Sequence, residues 1–278
     1  MTGFSAEWLA LREPADHAAR NPAVLAAVGA AFAGRSSLSI VDLGSGAGSN
    51  LRGSYAALPD RQHWTLVDRD KALLEAALAT LAQWADDSQR LGEELVLRKE
   101  GKTLTVDVRQ ADLDKDLEWV LGWRPDLVTA AALFDLTSER WIARFAAALA
   151  SLRLPLYTVL TFDGRESWET PHPADKRMLA AFNHHQRGDK GFGPAAGPDA
   201  VELLAQAFRK TGFAVTAGES LWRIDDSRPE FRAALVAGIA AAVRETGQVD
   251  EATIAAWAAA RQGATGFVGH HDLWARPV

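Results

Sequence analysis

Ser39-Ile40-Val41-Asp42-Leu43-Gly44-Ser45-Gly46-Ala47-Gly48-Ser49-Asn50-Leu51 runs a short apolar stretch straight into a glycine-rich turn, with an acid two residues ahead of the first glycine. An unbroken run such as Leu38 to Leu43 suits a parallel strand covered by helices on both faces, where polar alternation is not needed. The glycines turn the chain sharply and let a ligand approach the backbone, and the helix that follows offers free N–H groups and its positive end. The stretch therefore reads as the floor of a nucleotide-type pocket.

Outward from this turn, strands and helices alternate. His63 to Val67 forms the next strand and ends at Asp68, and Asp70 to Trp84 is a strongly apolar helix. Glu94 to Arg98 and Thr103 to Arg109 flank Glu100-Gly101 as a hairpin. A helical turn spans Lys115 to Trp123. Leu127 to Phe134 is a further strand, Ser138 to Leu152 an amphipathic helix, and Leu156 to Phe162 a fifth strand. Gly212 to Val215 together with Ser220 to Ile224 suggests a sixth, and Gly266 to Trp274 the last. The pattern predicts an α/β fold: a doubly wound, mostly parallel seven-stranded sheet with helices on both faces, an antiparallel final strand and helical lid insertions.

At the N-terminus, residues 4 to 34 read as two helical pieces interrupted at Glu13-Pro14 and Asn21-Pro22, with Asn21 an N-cap and Pro22 in the first helical position. Asp16 and Arg20 lie four apart, the spacing of a helical ion pair worth about 0.3–0.5 kcal/mol. Two connectors are long, Asp163 to Pro198 and Asp225 to Thr265, as expected of lids over a pocket. No internal repeat or linker divides the chain. We expect one domain over residues 1–278, with an N-terminal helical lid (1–34), a cofactor-binding half (35–163) and a substrate half carrying helical insertions (164–278).

The 278 residues are 48% apolar, enough for one large core. A formal charge of −6 gives no electrostatic footprint for nucleic acid. No apolar stretch reaches the ~20 residues that cross a bilayer, and no basic start followed by an apolar core marks an export signal. A cytoplasmic protein acting on small molecules is the expectation. With 0 cysteines, disulfides, thiolate catalysis and cysteine-held metals are excluded. The 10 tryptophans read as packing residues, one or two of which suit an amphipathic pocket.

The glycines are spaced Gly44, Gly46, Gly48. A dinucleotide fingerprint needs glycine or alanine at position 49, where this chain has Ser49, and Asp42 would repel a pyrophosphate. Asp42 suits an ammonium group instead.

Val41-Asp42-Leu43-Gly44-Ser45-Gly46-Ala47-Gly48 resembles the first motif of the class I S-adenosylmethionine-dependent methyltransferases. Leu66-Val67-Asp68 resembles that family's ribose-binding strand end, and Ala111-Asp112-Leu113 its adenine motif. Pro125-Asp126-Leu127-Val128, followed by Ala130, Ala131 and Ala132, resembles its fourth-strand motif beside the methionine portion. The motifs fall in family order over residues 40 to 136.

The resemblance implies S-adenosylmethionine as cofactor. It places Asp42, Gly44, Ser45, Gly46, Gly48 and Asn50 at the turn, Asp68 and Arg69 at the ribose, Asp112 and Leu113 at the adenine, and Ala130 at the methionine. Arg20, in a segment that family members often close over the cofactor, is a candidate for its carboxylate. For Asp68 the competing reading is an N-cap of the following helix; for Asp112 it is a solvated turn acid.

The sulfonium methyl is already electrophilic, so alignment and exclusion of water matter most, and only some acceptors need a base. Candidates belong at the carboxyl ends of the fourth and fifth strands. They are Asp135, otherwise a helix cap, and Asp163, otherwise an Asp-Gly turn. His185, in the polar segment Phe182 to Pro194, is a third, otherwise a histidine on a surface helix end. Adjacent histidines such as His184-His185 point about 100° apart on a helix, unlike the i, i+4 pair of a zinc helix, so no metal is expected. Two other readings stay open: an NAD(P)-dependent Rossmann oxidoreductase, and a non-catalytic S-adenosylmethionine-binding protein.

Overall fold

The computed structural model describes residues 5–278. Two helices, α1 (Ala6–Ala19) and α2 (Pro22–Phe32), precede β1 (Leu38–Leu43). They are followed by α3 (Ser49–Ser54), β2 (Arg61–Asp68), α4 (Lys71–Trp84), β3 (Asp87–Leu91), β4 (Glu94–Lys99) and β5 (Lys102–Gln110). Then come α5 (Leu117–Leu121), β6 (Leu127–Ala131), α6 (Glu139–Leu152), β7 (Leu156–Trp168), α7 (Asp175–Gln186) and α8 (Ala200–Lys210). The chain closes with β8 (Phe213–Glu219), β9 (Trp222–Ile224), α9 (Pro229–Thr246), α10 (Glu251–Arg261) and β10 (Gly266–Pro277).

The sheet has ten strands, not the seven expected, in the order β3-β4-β5-β2-β1-β6-β7-β10-β8, with β9 paired to β10. A contiguous run from β5 to β8 contains seven of them. Here β5, β2, β1, β6 and β7 are mutually parallel, and β10 runs antiparallel between β7 and β8.

The extra strands have simple causes. β3 is Asp-Ser-Gln-Arg-Leu, exposed at every position, so no apolar pattern announces it; it forms by pairing with β4, whose own arm of the hairpin was legible. The segment read as one sixth strand is two, β8 and β9, each pairing separately with β10. β7 also runs past Phe162 to Trp168, because its polar second half pairs with the start of β10.

Successive residues of the central strands feed two cores. Ile40, Trp64, Leu66 and Val106 join α2 and α4 on one face. Val41, Leu43, Val67 and Val128 join α5, α6 and α8 on the other. This two-sided burial is why β1 reads as a continuous apolar run.

α1 runs unbroken through Pro14, contrary to the expected interruption, and the chain breaks only at Asn21, whose Oδ1 caps α2. The helix is held on both sides of the proline: the Arg12 Nε donates to Asp16 Oδ2 at 2.8 Å, and the Trp222 Nε1 donates to Asp16 Oδ1 at 2.9 Å. The i, i+4 pair is thus Arg12–Asp16, not Asp16–Arg20. Residues 1–4 of the expected lid lie outside the described residues.

Candidate active site

β1 delivers the chain into a turn with Gly44, Gly46 and Gly48 at φ +63°, +51° and +76°. A Cβ on Gly46 would lie 3.0 Å from Leu9 of α1, so the turn passes directly beneath that helix. Ser45 N–H donates to Val67 O at 3.0 Å, tying the turn to the end of β2.

Asp68 completes the tie. Its Oδ2 accepts the Gly46 N–H and its Oδ1 the Asp70 N–H, both at 2.9 Å. Each oxygen keeps acceptor capacity after one bond. The N-cap of α4 is Asp70 rather than Asp68.

Below the turn, Asn50 is 2% exposed and fully engaged. Its Nδ2 donates to Asp42 Oδ1 (2.8 Å) and Thr129 Oγ1 (2.9 Å), and its Oδ1 accepts from Arg20 Nη2 (2.9 Å). Arg20 Nη1 donates to Ser54 Oγ at 3.0 Å, and the space for its guanidinium exists because position 53 is glycine.

Asp42 is wholly buried behind Asn50 and does not line the cavity, a correction to the expectation that it meets an ammonium group directly. Burial raises its pKa to about 7, against the opposing Asn50 hydrogen bond and Arg20 charge. It acts on the site by orienting Asn50.

A cavity of about 730 Å³ opens above this turn. Gly44 to Ala47, Ser49 and Asn50 form its floor, Asp68 to Lys71 and Gln110 to Leu113 its far wall, and Leu9, Arg12 and Asp16 of α1, with Arg20 at its C-terminal cap, its roof. It therefore gathers Gly44, Ser45, Gly46, Asn50, Asp68, Arg69, Asp112, Leu113 and Arg20 of the expected set.

Besides Asp42, two more members fall elsewhere. Gly48 packs against Ala77, Leu81 and Leu66, so its missing Cβ serves helix–sheet packing. Ala130 is buried in the second core opposite Leu43, and its successors Ala131 and Ala132 line the cavity instead. The Asp112 carboxylate turns to Lys115 Nζ (2.7 Å) and the Asp114 N–H (3.1 Å), and the Lys115 contact leads in lowering its pKa.

A second cavity, about 1110 Å³, adjoins the first. Trp8, Trp222, Phe162, Phe182 and residues of α9 form its body, with Asp135, His185 and His270 among its polar members. The two cavities share Arg12, Arg69, Ala132, Leu136, Leu160 and Lys190.

Two of these shared residues are strained. Ala132, just after β6, and Leu160, within β7, have φ of +50° and +58°, rare for side chains of any size and costly for leucine. Leu160 is held there by Asp272, which is 0% exposed and accepts the Leu160 N–H at 3.0 Å and the Asn21 N–H at 2.7 Å. A register break in the β7–β10 pairing between His271 and Leu273 places Asp272 for this role.

Of the three candidate bases, Asp135 lines the second cavity at 6% exposure, with Oδ1 free of any hydrogen bond among the described residues. It does not cap α6, since Ser138 does. Burial raises its pKa to about 6, opposed by hydrogen bonds from backbone N–H groups and by Arg12 and Lys190.

His185 also lines this cavity but is drawn to Glu245 at 3.1 Å. Asp163 lines neither cavity. It lies within β7 rather than in a turn, against Arg165 (2.6 Å) and His271 (3.1 Å). Burial alone would raise its pKa, but those partners hold it at about 2, too weak a base for neutral pH.

Sequence reasoning missed the polar face of α1. Glu13 takes a bidentate contact from Arg52, at 2.7 and 2.5 Å, and His17 Nε2 lies 3.0 Å from Ser49 O. With Arg12, Asp16 and Arg20 these form a charged stripe at helical spacing on the side where an ordinary helix would bury apolar residues. That inversion was the available signal.

The raised pKa of Asp135 has a measurable consequence. Its penalty is absent below the unfolded value near 4, where the carboxyl is neutral in both states, and stability is lost as pH rises through about 6. Asp135→Asn should thus be more stable than the wild type at pH 7.5 by about 1–3 kcal/mol, the gain vanishing towards pH 4; denaturant unfolding at the two pH values measures it.

The parallel sheet with its cavity at the carboxyl ends of β1, β2, β5 and β6, beside the β1/β6 switch point, defines a Rossmann-like ligand-binding fold. No protein-family model matches the chain, and no curated protein matches its sequence. Among solved structures, it is similar to a cyclopropane-fatty-acyl-phospholipid synthase-like protein from Lactobacillus casei, at 16% identity over 99% of this chain and 95% of that one, with a TM-score of 0.54. It is also similar to the cyclopropane synthase MmaA2 from Mycobacterium tuberculosis, at 14% identity over 98% and 94% of the two chains, with a TM-score of 0.51. The fold is that of the class I S-adenosylmethionine-dependent methyltransferases.

Proposed function

We propose that the chain is an S-adenosylmethionine-dependent methyltransferase with a small-molecule acceptor, the cofactor occupying the first cavity and the acceptor the second. The observation that carries this reading is the Asp68–glycine-turn assembly opening onto one cavity that meets another at Ala132 and Leu160.

The lining fits the cofactor part by part. Asp68 retains acceptor capacity for vicinal hydroxyls. Arg20 Nε and Ser45 Oγ are buried without hydrogen-bond partners among the described residues, suited to the carboxylate end of a zwitterion. Leu73 and the Gln110–Leu113 backbone suit a flat base.

S-adenosylmethionine supplies an electrophilic methyl group when bound. The chain's own work is to orient and to keep water out: α1 lies over the turn, latched by Glu13–Arg52 and His17–Ser49. Asp135 Oδ1 is placed to hold a proton released by an acceptor, in a site where its pKa of about 6 matches that task.

We read residues 5–34, 164–198 and 225–265 as covers of a single domain. A net charge of −6 argues against nucleic acid as acceptor, and no helix among the described residues is long and apolar enough to cross a membrane. The intracellular supply of S-adenosylmethionine supports a cytoplasmic location.

A melting experiment tests the reading. S-adenosylhomocysteine at a hundredfold excess over its Kd should stabilise the protein by about 2.7 kcal/mol, a rise of several degrees. Unchanged melting with both S-adenosylmethionine and S-adenosylhomocysteine contradicts it.

A further inference from the structure

We propose that the second cavity takes an aromatic acceptor carrying an oxyanion, a carboxylate or phenolate, with that anion seated at the junction of the two cavities by Lys190 and Arg69. The proposal rests on the methyltransferase reading for what occupies the other side of the junction.

The junction itself is cationic. Of the six residues common to both cavities, Arg12, Arg69 and Lys190 are basic and none is acidic. Arg12 is matched by Asp16, whereas Arg69 and Lys190 form no ion pair among the described residues. Low-dielectric walls concentrate such a field, which draws in an anion and repels an ammonium. A sulfonium in the first cavity would add charge of the same sign and strengthen the preference.

The acids that line the second cavity are otherwise occupied or lie to one side. Glu245 faces His185 at 3.1 Å, and Asp189 Oδ1 accepts the Gly191 and Gly193 N–H groups at 2.7 and 3.2 Å. Asp135 is, among the described residues that line this cavity, the acid with a buried oxygen free of hydrogen bonds. An acceptor arriving as a neutral phenol can pass its proton to Asp135 Oδ1, leaving the phenolate beside Lys190 and the carboxyl neutral, with charge conserved.

The body of the cavity suits a flat ring. Trp8, Trp222, Phe162 and Phe182 line it, with Trp8 and Trp222 in edge contact at 6.4 Å between ring centroids. From α9 the lining adds Ala234, Gly238 and Ala242, one turn apart, and nothing stands within 4 Å of where a Cβ on Gly238 would be. His270 is 5% exposed with Nδ1 unpartnered among the described residues, and burial lowers its pKa to about 3, so it offers a neutral hydrogen-bonding group to a ring substituent rather than a charge.

Calorimetric titration of the full chain with 2-naphthoate, 2-naphthamide and 2-naphthylmethylamine tests this, with and without S-adenosylhomocysteine. Naphthoate should bind at least tenfold tighter than the amide and the amine. Lys190→Gln should cut that ratio to under threefold, and Lys190→Arg should restore it, with each variant's unfolding transition checked against the wild type. The proposal is overturned if the amide or amine binds as tightly as naphthoate, if naphthoate does not bind, or if Lys190→Gln leaves the ratio intact. S-adenosylhomocysteine titrated alone reports on the cofactor reading, so either can fail without the other.

Discussion

Replacing Asp68 by alanine should weaken S-adenosylhomocysteine binding by about 1.5–3 kcal/mol, a loss of roughly ten- to a hundredfold or more. Two effects combine. The proposed ribose contact is a charged one, stronger than a neutral hydrogen bond. The same carboxylate also fixes the Gly46 and Asp70 N–H groups, so its removal loosens the turn and the start of α4 together. Asp68→Asn should not rescue binding, because an amide NH2 would face one of those two N–H donors. Calorimetry on folded variants measures the loss, and wild-type affinity in Asp68→Ala would remove this residue from the cofactor site.

The largest loss of stability should come from Asp272→Ala. Asp272 is buried between three elements and accepts backbone N–H groups from Leu160 on β7 and from Asn21 at the head of α2. Deleting the carboxylate leaves the buried Leu160 N–H and the partly buried Asn21 N–H without partners, at about 1–3 kcal/mol each, so a total of about 3–5 kcal/mol is expected. For a chain of this size that lowers the melting temperature by on the order of 10 °C. Leu160 would also be released from its left-handed conformation at the cavity junction, so ligand affinity should fall in whatever fraction stays folded. Denaturant unfolding reads the first effect; a loss below 1 kcal/mol would show that the contacts at Asp272 are dispensable.

The cofactor half of the fold was legible because its signals are local. An apolar run, three spaced glycines and an acid at the next strand end fix β1, the turn and β2 within some thirty residues, and Asp68, Gly44, Gly46 and Asn50 follow from the same segment. The errors arose where long-range pairing decides. β3 carries no apolar pattern and exists only because β4 lies beside it. The polar end of β7 looked like a loop until β10 supplied its partner, and with that pairing Asp163 left the cavity for Arg165 and His271. Asp42, Gly48 and Ala130 belong to the same motifs but sit behind the residues that line the cavity.

The acceptor side was barely legible. Lys190, Arg12 and His270 converge from a loop, the first helix and the last strand, separations over which spacing in the chain carries no information. The strain at Ala132 and Leu160 is likewise invisible in residue type, since neither alanine nor leucine signals a positive φ.

The most direct test of the account is a calorimetric titration of the purified chain with S-adenosylhomocysteine and NADPH in parallel. One site of micromolar affinity for S-adenosylhomocysteine, with no heat from NADPH, is the predicted result. Binding of NADPH alone would contradict the assignment of the glycine turn and return the chain to the dinucleotide-dependent enzymes.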